Sequence, residues 1–317
     1  MILFKVVRSF VCLHLISFEK LTHDLILSST IFNSKFLFEP RYFMNRRQLL
    51  TLALAASALA LSGKSSGAKS RKKGLCLSTK KRPAKKVAQF VKSTGARWLY
   101  NWNINPPEHL PTGVDYFPMI YNGKSVKDAN LAHIMSQARV LRYSSLLGFN
   151  EPDAKSQGDT TVEEALDLWP KLESTGLRLG SPGCVHPDNE WMIEFMNGVE
   201  KRGLRVDFVC VHSYGGPGAK SLVKRLEKVH ALYKRPIWIT EFAVADWKAK
   251  SGADNRHKPE QVADFVTELL PQLEAMDIVE RYAWFHGGVS GGPLATSKLF
   301  NPDGSLTIVG KAYRAVG

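Results

Sequence analysis

Two glutamates in this chain each close an apolar run: Glu151 in Leu147-Gly148-Phe149-Asn150-Glu151-Pro152-Asp153, and Glu241 in Trp238-Ile239-Thr240-Glu241-Phe242. A carboxylate among apolar residues is costly unless paired, hydrogen-bonded or neutralised. Each has a bland alternative, since Glu151 can cap a following helix and Glu241 can form an ion pair at a rim. Other apolar runs end in Tyr100-Asn101-Trp102-Asn103, Val211-His212-Ser213-Tyr214 and Ala283-Trp284-Phe285-His286. Two carboxyl groups converging in such company suit cleavage of a glycosidic bond. One protonates the leaving oxygen, and the other attacks the anomeric carbon or activates water there. Asn150 then offers an amide to a sugar hydroxyl, Asn101 is a further candidate for substrate binding, and Trp102 and Trp284 offer flat faces for a sugar ring. Either indole can instead fill the core, and for Trp238, in mid-run, core packing is the expected role. His212 and Tyr214 share strand parity and point the same way, so either can donate to Glu241 and keep it ionised. For His212 a purely structural place is an equal alternative. Pro152 is expected to push Glu151 toward an extended backbone.

These residues need elements to hold them. Short runs rich in aromatic and β-branched residues, bounded by Gly, Pro or Asn, occur at Gly74–Ser78, Trp98–Asn103, Tyr116–Tyr121, Leu146–Asn150, Leu177–Ser181, Val206–Val211, Ile237–Thr240 and Tyr282–Phe285. Amphipathic helical patterns lie between them, such as Val87, Phe90, Val91 and Val262, Phe265, Val266, Leu269, Leu273. Asp128 and Thr160 or Thr161 are expected N-caps, and Gly95, Gly176 and Gly203 expected stops. The link after the second run holds Pro106, Pro107 and Pro111, so its helix is expected to be degenerate. Eight β units alternating with helices imply a parallel sheet. Residues 74–317 match the roughly 250 of a (β/α)8 barrel. The rival, an open doubly wound sheet, more often carries a Gly-rich loop after its first strand, where this chain has Ser78-Thr79-Lys80. The expected fold is α/β, a single TIM barrel. Its catalytic groups would sit at the C-terminal ends of the strands.

The net charge of +14 invites a nucleic-acid reading, but its location argues against one. Residues 64–86 carry ten basic side chains and no acid, whereas residues 87–317 hold 26 basic and 26 acidic ones. The neutral body disfavours a domain-wide surface for DNA or RNA. Met44-Asn45-Arg46-Arg47 precedes a thirteen-residue uncharged run ending in A-x-A steps. That run is too short for a bilayer-spanning helix of about 20 residues and reads as a twin-arginine-like secretory signal over 44–63. Residues 1–43 then form an upstream extension or leader, and 64–73 a solvated basic linker. Export to the periplasm or outside, with no stable membrane anchor in the mature chain, is the expectation. The four cysteines fit no disulfide scaffold, and His and Cys show no metal-ligand spacing, so neither metal nor cofactor is expected.

The chain also resembles a known family. Asn150-Glu151-Pro152 and Thr240-Glu241 match (β/α)8 glycosidases that place acid/base and nucleophile at the ends of strands four and seven. Tyr100-Asn101-Trp102, Pro236–Phe242 and Val279–Phe285 make it similar to glycoside hydrolase family 128, the Asl1-like catalytic domains. The resemblance implies a retaining endo-β-1,3-glucanase acting on β-glucan, with Glu151 as acid/base and Glu241 as nucleophile; together with the signal this makes a secreted enzyme, and a monomer is expected. A different linkage specificity, or a non-catalytic barrel that binds wall polysaccharide, are the alternatives. Ser213 stands where the family often has an aromatic; its parity turns it away from His212, so altered packing or subsite shape is expected rather than lost catalysis.

Overall fold

A computed structural model of the protein describes residues 70–80, 82–286 and 292–317. The upstream segment, the twin-arginine-like signal and most of the basic linker lie outside the described residues. The elements run β1 (Lys73–Leu77), α1 (Ala84–Thr94), β2 (Trp98–Tyr100), β3 (Asp115–Tyr116), α2 (Asp128–Leu141), β4 (Ser145–Leu146), α3 (Val162–Glu173) and β5 (Arg178–Leu179). They continue as α4 (Glu190–Arg202), β6 (Val209–Gly215), α5 (Ala219–Tyr233), β7 (Ile237–Val244), α6 (Pro259–Ala275), β8 (Val279–His286) and α7 (Ile308–Ala315). One sheet has the order β3-β2-β1-β8-β7-β6, and β4 pairs with β5, every neighbour parallel. Single bridges from Met119 to Leu147 and from Gly180 to Phe208 join the two sheets. The ring closes, and the fold is the expected (β/α)8 barrel.

Strand lengths depart from expectation in two directions. The third, fourth and fifth strands are each only 2 residues long; between the third and fourth, Pro118 has no N–H for a ladder and only its carbonyl takes part, accepting from Leu147 at 2.9 Å. β6 begins at Val209 rather than Val206 and runs through His212 and Tyr214 to Gly215. β7 continues past Glu241 to Val244, every residue buried. No helix joins β2 to β3, as the prolines implied. Thr161 caps α3 by accepting from the Glu164 N–H, whereas Asp128 is the first residue of α2, after Lys127. Gly95 and Gly203 end α1 and α4 with φ of 70° and 65°, a region glycine enters without a Cβ clash.

The barrel floor, at the N-terminal ends of the strands, is aromatic. Trp238 stacks on Phe208 at 4.0 Å and meets Phe117 edge-on at 4.8 Å. Gly74 is needed beside them, since a Cβ there would lie 2.3 Å from the Trp98 ring. The Arg281 guanidinium covers Phe117 and Trp238 at 4.8 and 4.9 Å, a cation over π faces.

The end of the basic run is not a solvated linker. Arg71 pairs with Asp115 at 2.7 Å, and the Lys72 ammonium donates to the carbonyls of Leu273, Glu274 and Met276 at the end of α6. Lys73, 1% exposed, opens β1 and donates to the carbonyls of Tyr313, Arg314 and Val316 at the end of α7. Helix C-termini present unsatisfied carbonyls and the negative end of the dipole, which a lysine answers. The ordered fold therefore starts a few residues before Gly74.

Candidate active site

The C-terminal ends of the strands open into a cleft of ≈ 820 Å³ whose walls include Trp102, Tyr121, Asn150, Glu151, Tyr214, Glu241, Trp247 and Phe285. Both glutamates project into it, from the segment that follows β4 and from within β7. One oxygen of each carboxylate lies within 4.8 Å of the other.

Glu241 is 4% exposed, yet both its oxygens are satisfied. Tyr100 Oη and Trp102 Nε1 each donate to Oε1 at 2.8 Å, and Tyr214 Oη donates to Oε2 at 2.5 Å. An ionised carboxylate accepts and does not donate, so three donors suit that form. Burial, then the Glu241 charge, holds the Tyr100 and Tyr214 phenols well above their usual pKa of 10.0, so both remain donors at neutral pH. A register irregularity after Val211 sets His212 beside Glu241 instead of Thr240; such a bulge re-aims a side chain at a barrel mouth.

His212 is fully buried between the two acids. Its Nδ1 is 3.0 Å from Glu151 Oε1, and its Nε2 is 3.5 Å from Glu241 Oε1. Burial pulls its pKa down, but the Glu241 and Glu151 carboxylates prevail and lift it above the ordinary 6.5. Gly183 makes the room, because a Cβ there would come within 2.7 Å of Nε2.

Glu151 does not have the extended backbone expected before proline; its φ is 39°. Proline disfavours the right-handed region for its predecessor, and here the chain turns through the left-handed one instead. The turn is fixed on both sides: the Glu151 N–H donates to Gly183, while its carbonyl accepts from Ala154 and Gly158. Trp102 also has positive φ, 57°. Such conformations persist where surrounding bonds over-determine them, commonly at functional sites.

Of the other expected residues, Asn150 is 4% exposed and lines the cleft, with its Oδ1 lacking a protein partner. Asn101 also lines the cleft, but its amide is engaged by Thr79, the Asn105 carbonyl and Tyr116, so it braces the β2–β3 loop. Trp284 does not belong to the site. It is fully buried, packs edge-on against Phe242 and donates to the Ser297 carbonyl. In β8 the parity that turns Phe285 into the cleft turns Trp284 toward the helical layer. Ser213 lines a separate small cavity with Leu222 and Phe265.

Tyr100, Tyr121, Gln157, Phe285 and Trp247 join the site beyond the residues expected from sequence. Tyr100 was legible, sharing strand parity with Trp102. Trp247, 65% exposed and edge-on to Tyr214 at 5.9 Å, carried one signal, a lone indole in the polar stretch Asp246-Trp247-Lys248. Tyr121 donates to Gln157 at 2.7 Å across the cleft wall.

Glu151, His212 and Glu241 are also the group of three among the described residues with the geometry to hold a cation. Sequence spacing cannot reveal such a cluster, because β6, β7 and the segment after β4 assemble it. A cation bound by Glu241 would compete with Tyr100, Trp102 or Tyr214 for the same oxygens.

Residues 74–313 match the model of the family described as "Glycosyl hydrolase catalytic core". A subgroup I endo-β-1,3-glucanase of glycoside hydrolase family 128 from Amycolatopsis mediterranei, crystallised as a variant with laminarihexaose, is 35% identical. It superposes with a TM-score of 0.67 over 78% of this chain and 100% of that one. A subgroup II endo-β-1,3-glucanase from Sorangium cellulosum is 26% identical over 78% of this chain and 98% of that one, with a TM-score of 0.63. Alkali-sensitive linkage protein 1 of Schizosaccharomyces pombe is 27% identical over 230 residues. That match takes in 69% of this chain, which spans only 40% of the yeast protein. With the closed barrel and the paired glutamates in view, the chain belongs to the glycosyl hydrolase catalytic core family, as a glycoside hydrolase of family 128.

Proposed function

We propose that this protein is an exported, retaining endo-β-1,3-glucanase that acts as a monomer. The observation that carries the reading is the placement of Glu151 and Glu241, with carboxylate oxygens within 4.8 Å across one cleft. Retaining glycosidases hold their carboxyl groups about 5–5.5 Å apart, while inverting ones need about 6.5–9.5 Å to admit a water. Glu241, held by three donors, attacks the anomeric carbon. Glu151 protonates the departing oxygen. Water then releases the sugar from Glu241, with Glu151 taking its proton. Asn150, which lines the cleft, offers its amide to a sugar hydroxyl, and Trp102 and Phe285 give the ring apolar surface.

The substrate class rests on relatives named endo-β-1,3-glucanases, one of them holding laminarihexaose. A subgroup III relative from Blastomyces gilchristii, 26% identical, is named a curdlan-specific exo-β-1,3-glucanase, so the endo assignment leans on the more similar subgroup I. Export rests on the signal beginning near Met44. Among the described residues no helix is long and apolar enough to cross a membrane.

A reducing-sugar assay over laminarin, curdlan, cellulose and mixed-linkage glucan tests the reading. Activity is expected on the β-1,3 polymers, and Glu151→Gln and Glu241→Gln should each lower it at least 1,000-fold while oligosaccharide binding survives. Activity retained in both variants, or confined to another linkage, rejects it.

A further inference from the structure

The two oxygens of Glu241 are not equivalent. Oε1 receives two donors at 2.8 Å, from Tyr100 and Trp102, and has His212 Nε2 at 3.5 Å. Oε2 receives one, from Tyr214. A carboxylate oxygen has two in-plane lone pairs, so those of Oε1 are committed to the protein while Oε2 keeps one free. Tyr100 is fully buried, and its burial together with the Glu241 charge keeps it a phenol. The Trp102 indole offers only an N–H, and the left-handed backbone at Trp102 aims it.

We propose that Oε2 is the attacking oxygen, and that Tyr100 and Trp102 are positioning residues that hold Oε1 as the carbonyl oxygen of the glycosyl ester and favour its breakdown. The inference rests on the two-step reading above and specifies which atom serves it. In the first half a lone pair of Oε2 forms the bond to the anomeric carbon. The bond to the leaving oxygen breaks, its electron pair stays on that oxygen, and the Glu151 proton follows. Glu241 thereby loses its charge. In the second half water attacks the same carbon, its proton goes to Glu151, and the electron pair of the ester bond returns to Oε2, restoring the carboxylate. Hydrogen bonds to a charged acceptor are stronger than those to a neutral ester carbonyl. The two donors on Oε1 therefore resist loss of charge in the first half and assist its return in the second.

The test uses the full chain, Tyr100→Phe and Trp102→Phe, with an aryl β-laminaribioside whose dinitrophenolate departs easily. Each variant should release a burst of about one dinitrophenolate per enzyme, followed by a steady rate lowered about tenfold and a KM lowered with it, because the ester accumulates. Mass spectrometry should find the sugar on the Glu241 peptide. Tyr214 also donates to the charged carboxylate, so Tyr214→Phe should show a burst too, and the trapped 2-fluoro ester decides the atom. In its crystal structure the sugar should sit on the oxygen facing Tyr214, with Tyr100 and Trp102 on the carbonyl oxygen; a sugar on the oxygen facing Tyr100 would overturn the assignment. Equal slowing of both halves in Tyr100→Phe and Trp102→Phe, with KM unchanged, would mean that these side chains merely support the fold, and would overturn the assignment. Failure of wild type to label Glu241 with the corresponding 2-fluoro sugar, while it still hydrolyses glucan, would reject the two-step reading itself and the inference with it.

Discussion

His212 stands 3.0 Å from Glu151 through one ring nitrogen and faces Glu241 at 3.5 Å through the other. A single buried imidazole thus bridges the two carboxylates of the cleft. Neither acid can change charge without the ring feeling it. The bulge in the β6–β7 register and the bare Cα of Gly183 are what allow the ring to sit there.

Because the carboxylates lift the pKa of His212 above its usual 6.5, the charged ring stabilises the fold. That contribution is complete below the unfolded value and is lost as pH rises through the raised one. His212→Gln should lower stability by about 1–3 kcal/mol at pH 6, and the difference in Tm from wild type should narrow toward pH 8. A difference that widens with rising pH would show that the ring is held neutral.

Gly183→Ala tests the same relationship from behind the ring. The added Cβ would lie 2.7 Å from His212 Nε2, so the ring must shift against both glutamates. The expected result is a kcat lower by about 100-fold, the cost of a displacement near 1 Å at the reacting groups, with KM little changed. A wild-type kcat would mean that His212 does not set the positions of the acids.

Much of the site was readable because barrel geometry turns strand ends into a site prediction. Glu151, Glu241, Trp102, Asn150 and Tyr214 all line the cleft. The misplaced residue was Trp284, and strand parity applied to β8 would have selected Phe285 in its stead. The left-handed turn at Glu151 was not readable. It depends on Gly183 and Gly158, residues distant in sequence or beyond the strand end, which bond its N–H and carbonyl. The short third, fourth and fifth strands were misjudged for a related reason: apolar runs report burial, whereas ladder pairing also needs backbone N–H groups, one of which Pro118 lacks between the third and fourth. The helix-capping lysines were hidden by their company. In a run of ten basic residues nothing local distinguishes Lys72 and Lys73 from their solvated neighbours.

Lys73→Met measures that hidden contribution. Removing the buried ammonium strips three carbonyls at the end of α7 of their donor. Stability should fall by about 2–4 kcal/mol in denaturant unfolding, while kcat at 25 °C stays at the wild-type value. A loss under about 0.5 kcal/mol would return Lys73 to the solvated linker.

Trp247 stands at the cleft lip with 65% of its surface exposed. Trp247→Ala should raise KM for laminarihexaose about three- to tenfold, the worth of one aromatic stack, and leave stability within about 0.5 kcal/mol. An unchanged KM for long and short oligosaccharides alike would exclude it from the substrate path.

The central claim is that Glu241 attacks the sugar directly while Glu151 supplies and recovers the proton. The most direct measurement is the anomeric configuration of the first product, read by proton NMR during the early minutes of laminarihexaose hydrolysis, before mutarotation. The account predicts that the new reducing end appears as the β anomer; its appearance as the α anomer would contradict a covalent role for Glu241.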